Sequence, residues 1–188
     1  MTPTRLVTRY DYAAASEYLV EKSILTYPSH DNFGGAALVN EDGRLVGLGS
    51  IVLKAAGGQG TISTNRWLPI NGIKPILADL IEHGSRQGPR HPWLGLRGQE
   101  LDGHLMVVGV EDGGPGDKAG IKMGDLILGV GGRRVSNLVD YYRQVWSRGN
   151  AGAVIPINLL RFKSETVGID RVEVTSTPFD ETRPPGGF

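Results

Sequence analysis

Ser29-His30-Asp31 sets a hydroxyl, an imidazole and a carboxylate side by side, the three groups of a nucleophilic relay. A relay needs the three side chains to converge on one point. Consecutive residues project in different directions, so this tripeptide reads as a polar loop. The other histidines, His83, His91 and His104, are scattered and show no metal-ligand spacing such as HExxH. Cysteine is absent, which removes disulfides, thiolate metal sites and thiol nucleophiles together. These residue types imply no metal and no cofactor. Trp93-Leu94-Gly95-Leu96 offers a different chemistry. A glycine between apolar residues at the entry to a strand can turn backbone N–H groups inward, where they bind a peptide carboxylate. The same residues also fit an ordinary strand start.

The elements that must hold these groups are short and mostly extended. Twenty-eight glycines among 188 residues favour turns and short strands over long helices. Strands are predicted over Leu6–Arg9, Ala36–Asn40, Arg44–Leu53 and Ile62–Leu68, with Glu41-Asp42-Gly43 as a hairpin turn. Ser16–Thr26 fits either period. Ile73, Ile76, Leu77, Leu80 and Ile81 recur at i, i+3, i+4, i+7 and i+8, an amphipathic helix begun near Pro69–Asn71 and closed by Gly84. Further strands are predicted over Trp93–Arg97, His104–Val110, Asp125–Val130, Ile155–Phe162 and Val167–Val174. A helix runs from a cap at Asn137, with Asp140 near its positive end, to Arg148 and stops at Gly149.

Gly84–Pro92 has the Gly, Pro and charge content of a linker. The expected organisation is a first domain over 1–84, a linker over 85–92, a second domain over 93–177 and a flexible tail over 178–188. Composition is that of an ordinary globular chain, 39% hydrophobic and 21% charged. Twenty basic and twenty acidic residues give zero formal net charge, which argues against a nucleic-acid footprint. No run approaches the ~18 apolar residues of a membrane span. Met1–Tyr10 lacks the apolar centre of a signal peptide.

From Trp93 to Thr177 the chain resembles a bacterial PDZ domain of the kind attached to HtrA-family (Deg-type) serine proteases. The resemblance rests on Trp93-Leu94-Gly95-Leu96, on Gly114-Pro115-Gly116-Asp117-Lys118-Ala119-Gly120-Ile121-Lys122-Met123-Gly124-Asp125-Leu126-Ile127-Leu128, on Val130–Val135 and on Ile155–Arg161. It implies β-augmentation: a peptide adds itself as a strand between the strand after Gly95 and the helix that begins at Leu138. The ligand carboxylate would rest on the amides of Leu94, Gly95 and Leu96. Its terminal side chain would sit among Leu94, Leu96 and Val145. Leu138 would face the residue two before the ligand's end, and Tyr142 would narrow the groove. The spacing of Leu138, Tyr142 and Val145 also fits plain core packing.

The segment Tyr27–Ser50 resembles the nucleophile loop of the same trypsin-like proteases, and Pro69–Gly84 resembles the helix that leads out of their protease domain. The resemblance implies a mainly β fold with short helices, a partial trypsin-like β-barrel followed by a PDZ domain. Aligning on Leu38-Val39 puts Gly34 in the slot of the nucleophilic serine, and a shift of one residue would put Phe33 there. Glycine has no side-chain oxygen to attack a carbonyl. About 30 residues precede the loop, too few for the barrel that carries the family's histidine and aspartate. The expectation is an HtrA-like pseudoprotease, or a fragment, that binds peptides or unfolded protein C-termini with apolar ends. The alternatives are a serine endopeptidase whose catalytic residues lie outside this chain, and an oligomeric scaffold. The location is expected to be periplasmic if the chain is part of a longer precursor, and otherwise cytoplasmic. A homo-oligomer is a possible partner state.

Overall fold

A computed structural model of the chain describes residues 2–14, 18–57, 60–163 and 166–179. The fold is mainly β with a few short helices. It divides into two compact units. The first takes in residues up to Tyr12 together with Val20–Gln87, and the second takes in Ala13–Leu19 and the chain from Gly88.

In the first unit five strands form one sheet: β1 (Arg5–Ala14), β2 (Tyr18–Tyr27), β3 (Ala37–Val39), β4 (Leu45–Gly57) and β5 (Gly60–Pro69), in the order β1-β2-β5-β4-β3. The ambiguous segment Ser16–Thr26 is a strand from Tyr18 onward, and Ser16 and Glu17 lie outside the described residues. Trp67 pairs with Ile24, and its indole N–H donates to the Thr26 hydroxyl at 2.8 Å. The turn at Glu41–Gly43 joins β3 to β4, with the Arg44 N–H donating to the Asn40 side chain at 2.8 Å. The expected single helix is split into α1 (Ile70–Ile73), a 3₁₀ turn over Lys74–Ile76, and α2 (Leu77–His83). Pro75 lies in that turn and has no N–H to give an α-helical ladder. Gly84 closes α2 in the left-handed conformation, its N–H on the Leu80 carbonyl.

The second unit begins with β6 (Pro92–Trp93), β7 (Leu96–Leu101), β8 (His104–Val110), α3 (Pro115–Lys118), β9 (Leu126–Val130) and β10 (Arg133–Arg134). It continues with α4 (Leu138–Trp146), β11 (Val154–Lys163), β12 (Thr166–Thr175) and β13 (Thr177–Pro178). The main sheet runs β12-β11-β9-β8-β7 with β10 on β9, and β13 pairs with β6. Period-two alternation on the strands sends Leu105, Val107, Ile155, Ile157, Leu159 and Val174 inward. α4 turns Leu138, Tyr141, Tyr142 and Val145 onto them, the i, i+3, i+4, i+7 stripe of an amphipathic helix. Asn137 caps α4: its side chain accepts from the Asp140 N–H at 2.8 Å and donates to the Asp140 carboxylate at 2.9 Å. Pro178, assigned by sequence to the tail, pairs with Pro92. The rest of the expected tail, 180–188, lies outside the described residues.

Candidate functional site: an open strand beside a turned loop

The predicted strand Trp93–Arg97 is broken in the middle. Leu94 and Gly95 separate β6 from β7, and Gly95 has φ of 69°. That conformation favours glycine, and space demands it as well: a Cβ there would meet Glu111 Cβ at 3.1 Å and the Trp93 ring at 3.3 Å. The turned carbonyls are taken up on the inner side. The Gly116 N–H donates to the Leu94 carbonyl and the Glu111 N–H to the Gly95 carbonyl, both at 2.8 Å. Among the described residues no hydrogen bond takes the N–H of Leu94 or of Gly95. Both residues are buried, and a buried amide without a partner is costly. The loop therefore presents two adjacent donors suited to an anionic oxygen.

β7, which follows the loop, is an edge strand of the main sheet and pairs with β8 alone. α4 lies along it. Leu138 sits over Gly98, where a Cβ would come within 3.0 Å of both Leu138 Cδ2 and Leu105 Cδ1. The absence of a side chain at 98 lets the helix approach the strand. Glu100 then reaches across from β7 and accepts the Leu138 N–H at 2.8 Å, satisfying one orphan donor of the helix start.

The structure brings Leu94, Leu96, Leu138, Tyr142 and Val145 into one buried cluster, with Gly95 in the loop beside them. Their walls are core side chains first. The Tyr142 hydroxyl donates to the Ala14 carbonyl at 2.8 Å, and Ala13 and Leu19 pack on the same cluster. Glu100 and Gly98 are parts of the site that the sequence reading missed. Glu100 lies 38 residues from the amide it caps, and no local pattern announces such a contact.

In the first unit Gly34 stands exposed in a turn, with open space where a side chain would project. The turn is tied to β4 by the Gly35 N–H on the Gly49 carbonyl at 3.0 Å and the Gly49 N–H on the Ala36 carbonyl at 2.8 Å. Ser29, His30 and Asp31 share no hydrogen bond. The His30 backbone is clamped instead by the Asn65 side chain, at 2.7 Å from its N–H and 3.3 Å from its carbonyl, while the buried His30 Nε2 has no partner. His91 stacks on Trp146, far from any relay. Among the described residues no group of three or more His, Asp or Glu side chains is placed to hold a metal ion.

The six-stranded sheet with α4 packed on it, the broken strand and the loop of free amides define the second unit as a PDZ domain, and residues 92–173 match the PDZ domain family model. The periplasmic serine endoprotease DegP of Salmonella typhimurium is 30% identical over 162 residues, covering 79% of this chain and 33% of that protein. Serine protease Do-like HtrA of Bacillus subtilis is 25% identical over 143 residues, covering 68% of this chain and 31% of that protein. The solved structure of HtrA-type protease AlgW with decapeptide shares the fold, with a TM-score of 0.59 at 23% identity, over 89% of this chain and 51% of that one. The chain is thus homologous to the C-terminal protease-plus-PDZ region of HtrA-type serine proteases, and it spans about a third of the length of these curated relatives. Among the described residues no helix is long and apolar enough to cross a membrane.

Proposed function

We propose that this chain binds peptides, or the C-termini of unfolded proteins, by adding them as a strand along β7. The observation that carries the reading is the pair of unpartnered amides at Leu94 and Gly95, set at the head of an edge strand. A terminal carboxylate satisfies those donors, and main-chain pairing with β7 supplies affinity. The terminal side chain lies toward Leu94, Leu96 and Val145. The residue two before it faces Leu138, which has no polar group. A hydroxyl buried there without a partner costs about 1–3 kcal/mol. The preferred ligand ends apolar–any–apolar.

The same reading makes the N-terminal unit a degenerate protease segment. In alignment with the family Gly34 takes the nucleophile slot, and no acyl-enzyme forms on a residue without a side-chain oxygen. The chain then acts by binding rather than cleavage, in the periplasm of its DegP relatives and as part of an oligomer. The homology to endoproteases supports a second reading, in which catalytic groups come from outside these residues.

Calorimetric titration of two peptides that differ only at the third-last residue tests the site. Valine there should bind about thirty-fold tighter than threonine, the middle of the hydroxyl penalty above. Equal binding would remove Leu138 from the site, and unchanged affinity after C-terminal amidation would remove the amide loop. Turnover of unfolded casein, with labelling by a fluorophosphonate, would establish the endopeptidase instead.

A further inference from the structure

The main sheet of the PDZ domain has two edges, β7 and β12. On the reading above the ligand takes β7, and β12 stays open at the far end of the sheet. β12 pairs with β11 along its whole length, from Thr166 to Thr175, without a bulge. It contains no proline, and among the described residues no strand pairs with its outer side. The free N–H and C=O groups of such an edge template another strand, and one sign of charge along it would repel a partner. β12 carries both signs. Its residues that face away from the core are Val167, Ile169, Arg171, Glu173 and Thr175, all exposed. The neighbours of Arg171 and Glu173 on β11 are Asn158 and Pro156, which offer no countercharge. Neither Arg171 nor Glu173 has an ion pair or side-chain hydrogen bond among the described residues.

We propose that β12 is a dimerisation edge, which pairs antiparallel with β12 of a second copy of this chain about a two-fold axis at Val172. The side chains select both the occupant and the register. Opposed residues of an antiparallel pair share a face, so the axis falls at a residue, and residues equally far from it on either side meet. An axis at Asp170, Arg171 or Glu173 sets a charged residue against its own copy, and like charges directly opposed are destabilising. An axis at Ile169 sets Arg171 against Val167. An axis at Val172 sets Arg171 against Glu173 of the second copy, and does so twice, with Ile169 against Thr175 at each end. Only that register opposes unlike charges, and the strand that supplies them in the required order is β12 itself. The sheet then runs on through both copies, and β7 stays free at each end, so the interface needs no ligand and blocks none.

The chain has no cysteine, so a single introduced thiol reports the register. Val172→Cys meets itself across the axis at a Cα separation of about 4.5–5.5 Å, within the span of a disulfide. Under mild oxidation of the 188-residue chain, Val172→Cys should give a covalent dimer on a non-reducing gel. Thr175→Cys, set opposite Ile169, should not. In the Val172→Cys background, Arg171→Glu and Glu173→Arg should each slow cross-linking about ten-fold, because both charge pairs turn repulsive. An equimolar mixture of those two variants should regain the parent rate as a heterodimer, which also shows that both are folded. Four outcomes overturn the proposal: no covalent dimer from Val172→Cys, equal yields from Val172→Cys and Thr175→Cys, charge variants that cross-link as fast as their parent, or a mixture that does not recover.

Discussion

In the PDZ unit sixteen apolar side chains are buried in one cluster. In the N-terminal unit, among the described residues, the buried apolar side chains are Ile24 and Trp67, and beside them lie the buried polar residues Ser23, Thr26, Asn65 and Arg66. Full burial of a large apolar side chain contributes roughly 1.5–3 kcal/mol, whereas a satisfied hydrogen bond contributes about 1 kcal/mol net. The PDZ unit thus holds itself together from within. The N-terminal unit relies on specific polar pairings: Trp67 on Thr26, Asn65 on the His30 backbone, and Arg66 on Tyr10 and Tyr12. Similar sheets can carry different obligations: one unit is held by apolar packing and the other by polar pairs.

The largest effect that would break this contrast is at the level of whole units. A fragment of residues 88–179 should unfold in one cooperative denaturant transition, and residues 1–87 alone should show none. Cooperative unfolding of the N-terminal fragment would mean that its polar pairings suffice. Limited proteolysis of the full chain should cut first at Arg86. Arg90 is held, its carbonyl accepting from the Ala151 N–H at 2.9 Å and its side chain donating to the Phe179 carbonyl at 3.1 Å.

The PDZ unit has its own partly buried ionic element, centred on the buried Asp125. Arg161 donates to Asp125 at 3.0 and 3.1 Å, to Asp170 at 3.2 Å and to the Gly120 carbonyl at 2.7 Å. Arg161→Ala leaves the buried Asp125 without its cation and should lower PDZ stability by about 3 kcal/mol. A loss below about 1 kcal/mol in chemical denaturation would place this pair with the weak surface bridges. Next in size is the cap. Asn137→Ala should cost about 1 kcal/mol, and Asn137→Ser should restore most of it.

The smallest predicted effect is the most diagnostic for the N-terminal unit. Arg66 is 3% exposed, stacks 3.2 Å above the Tyr12 ring and donates to the Tyr10 hydroxyl at 2.6 Å, yet its Nε and Nη1 groups have no partner. Removing a buried cation in favour of an apolar residue of similar volume is often neutral or stabilising. Arg66→Met should therefore shift the first unit's stability by no more than about 1 kcal/mol in the unfavourable direction. A loss above about 3 kcal/mol would show that the cation–π contact outweighs desolvation.

Much of the PDZ fold was legible because its strands alternate cleanly: Ile155, Ile157 and Leu159 are separated by residues that face out. The helix over Leu138–Trp146 was legible from its cap and its apolar stripe. The N-terminal unit was harder for the same physical reason that sets it apart. Buried Ser23 interrupts the apolar alternation of β2, so Ser16–Thr26 fitted two periods. Pro75 divides a helix whose apolar spacing alone reads as continuous. At the site, the glycine and its neighbours were visible, but the break in the strand was not, since Trp93-Leu94-Gly95-Leu96 reads as one apolar run. The Glu100 contact depends on the packing of a helix against a strand and has no trace in local order.

The bond between Glu100 and the Leu138 N–H joins the two walls of the proposed peptide groove at the end away from the amide loop. From Leu96 to Glu100 a strand advances roughly 13 Å, about four residues. On the proposed reading, a carboxylate receiver at one end and a crossbar at the other make the groove a ruler. A ligand held against the amides is measured from its terminus inward, and whatever lies beyond the fourth residue must rise over the bar and leave. On the proposed reading, proteins of unrelated sequence would be sorted by their last few residues alone. An end newly exposed by cleavage or truncation would be as readable as a native one.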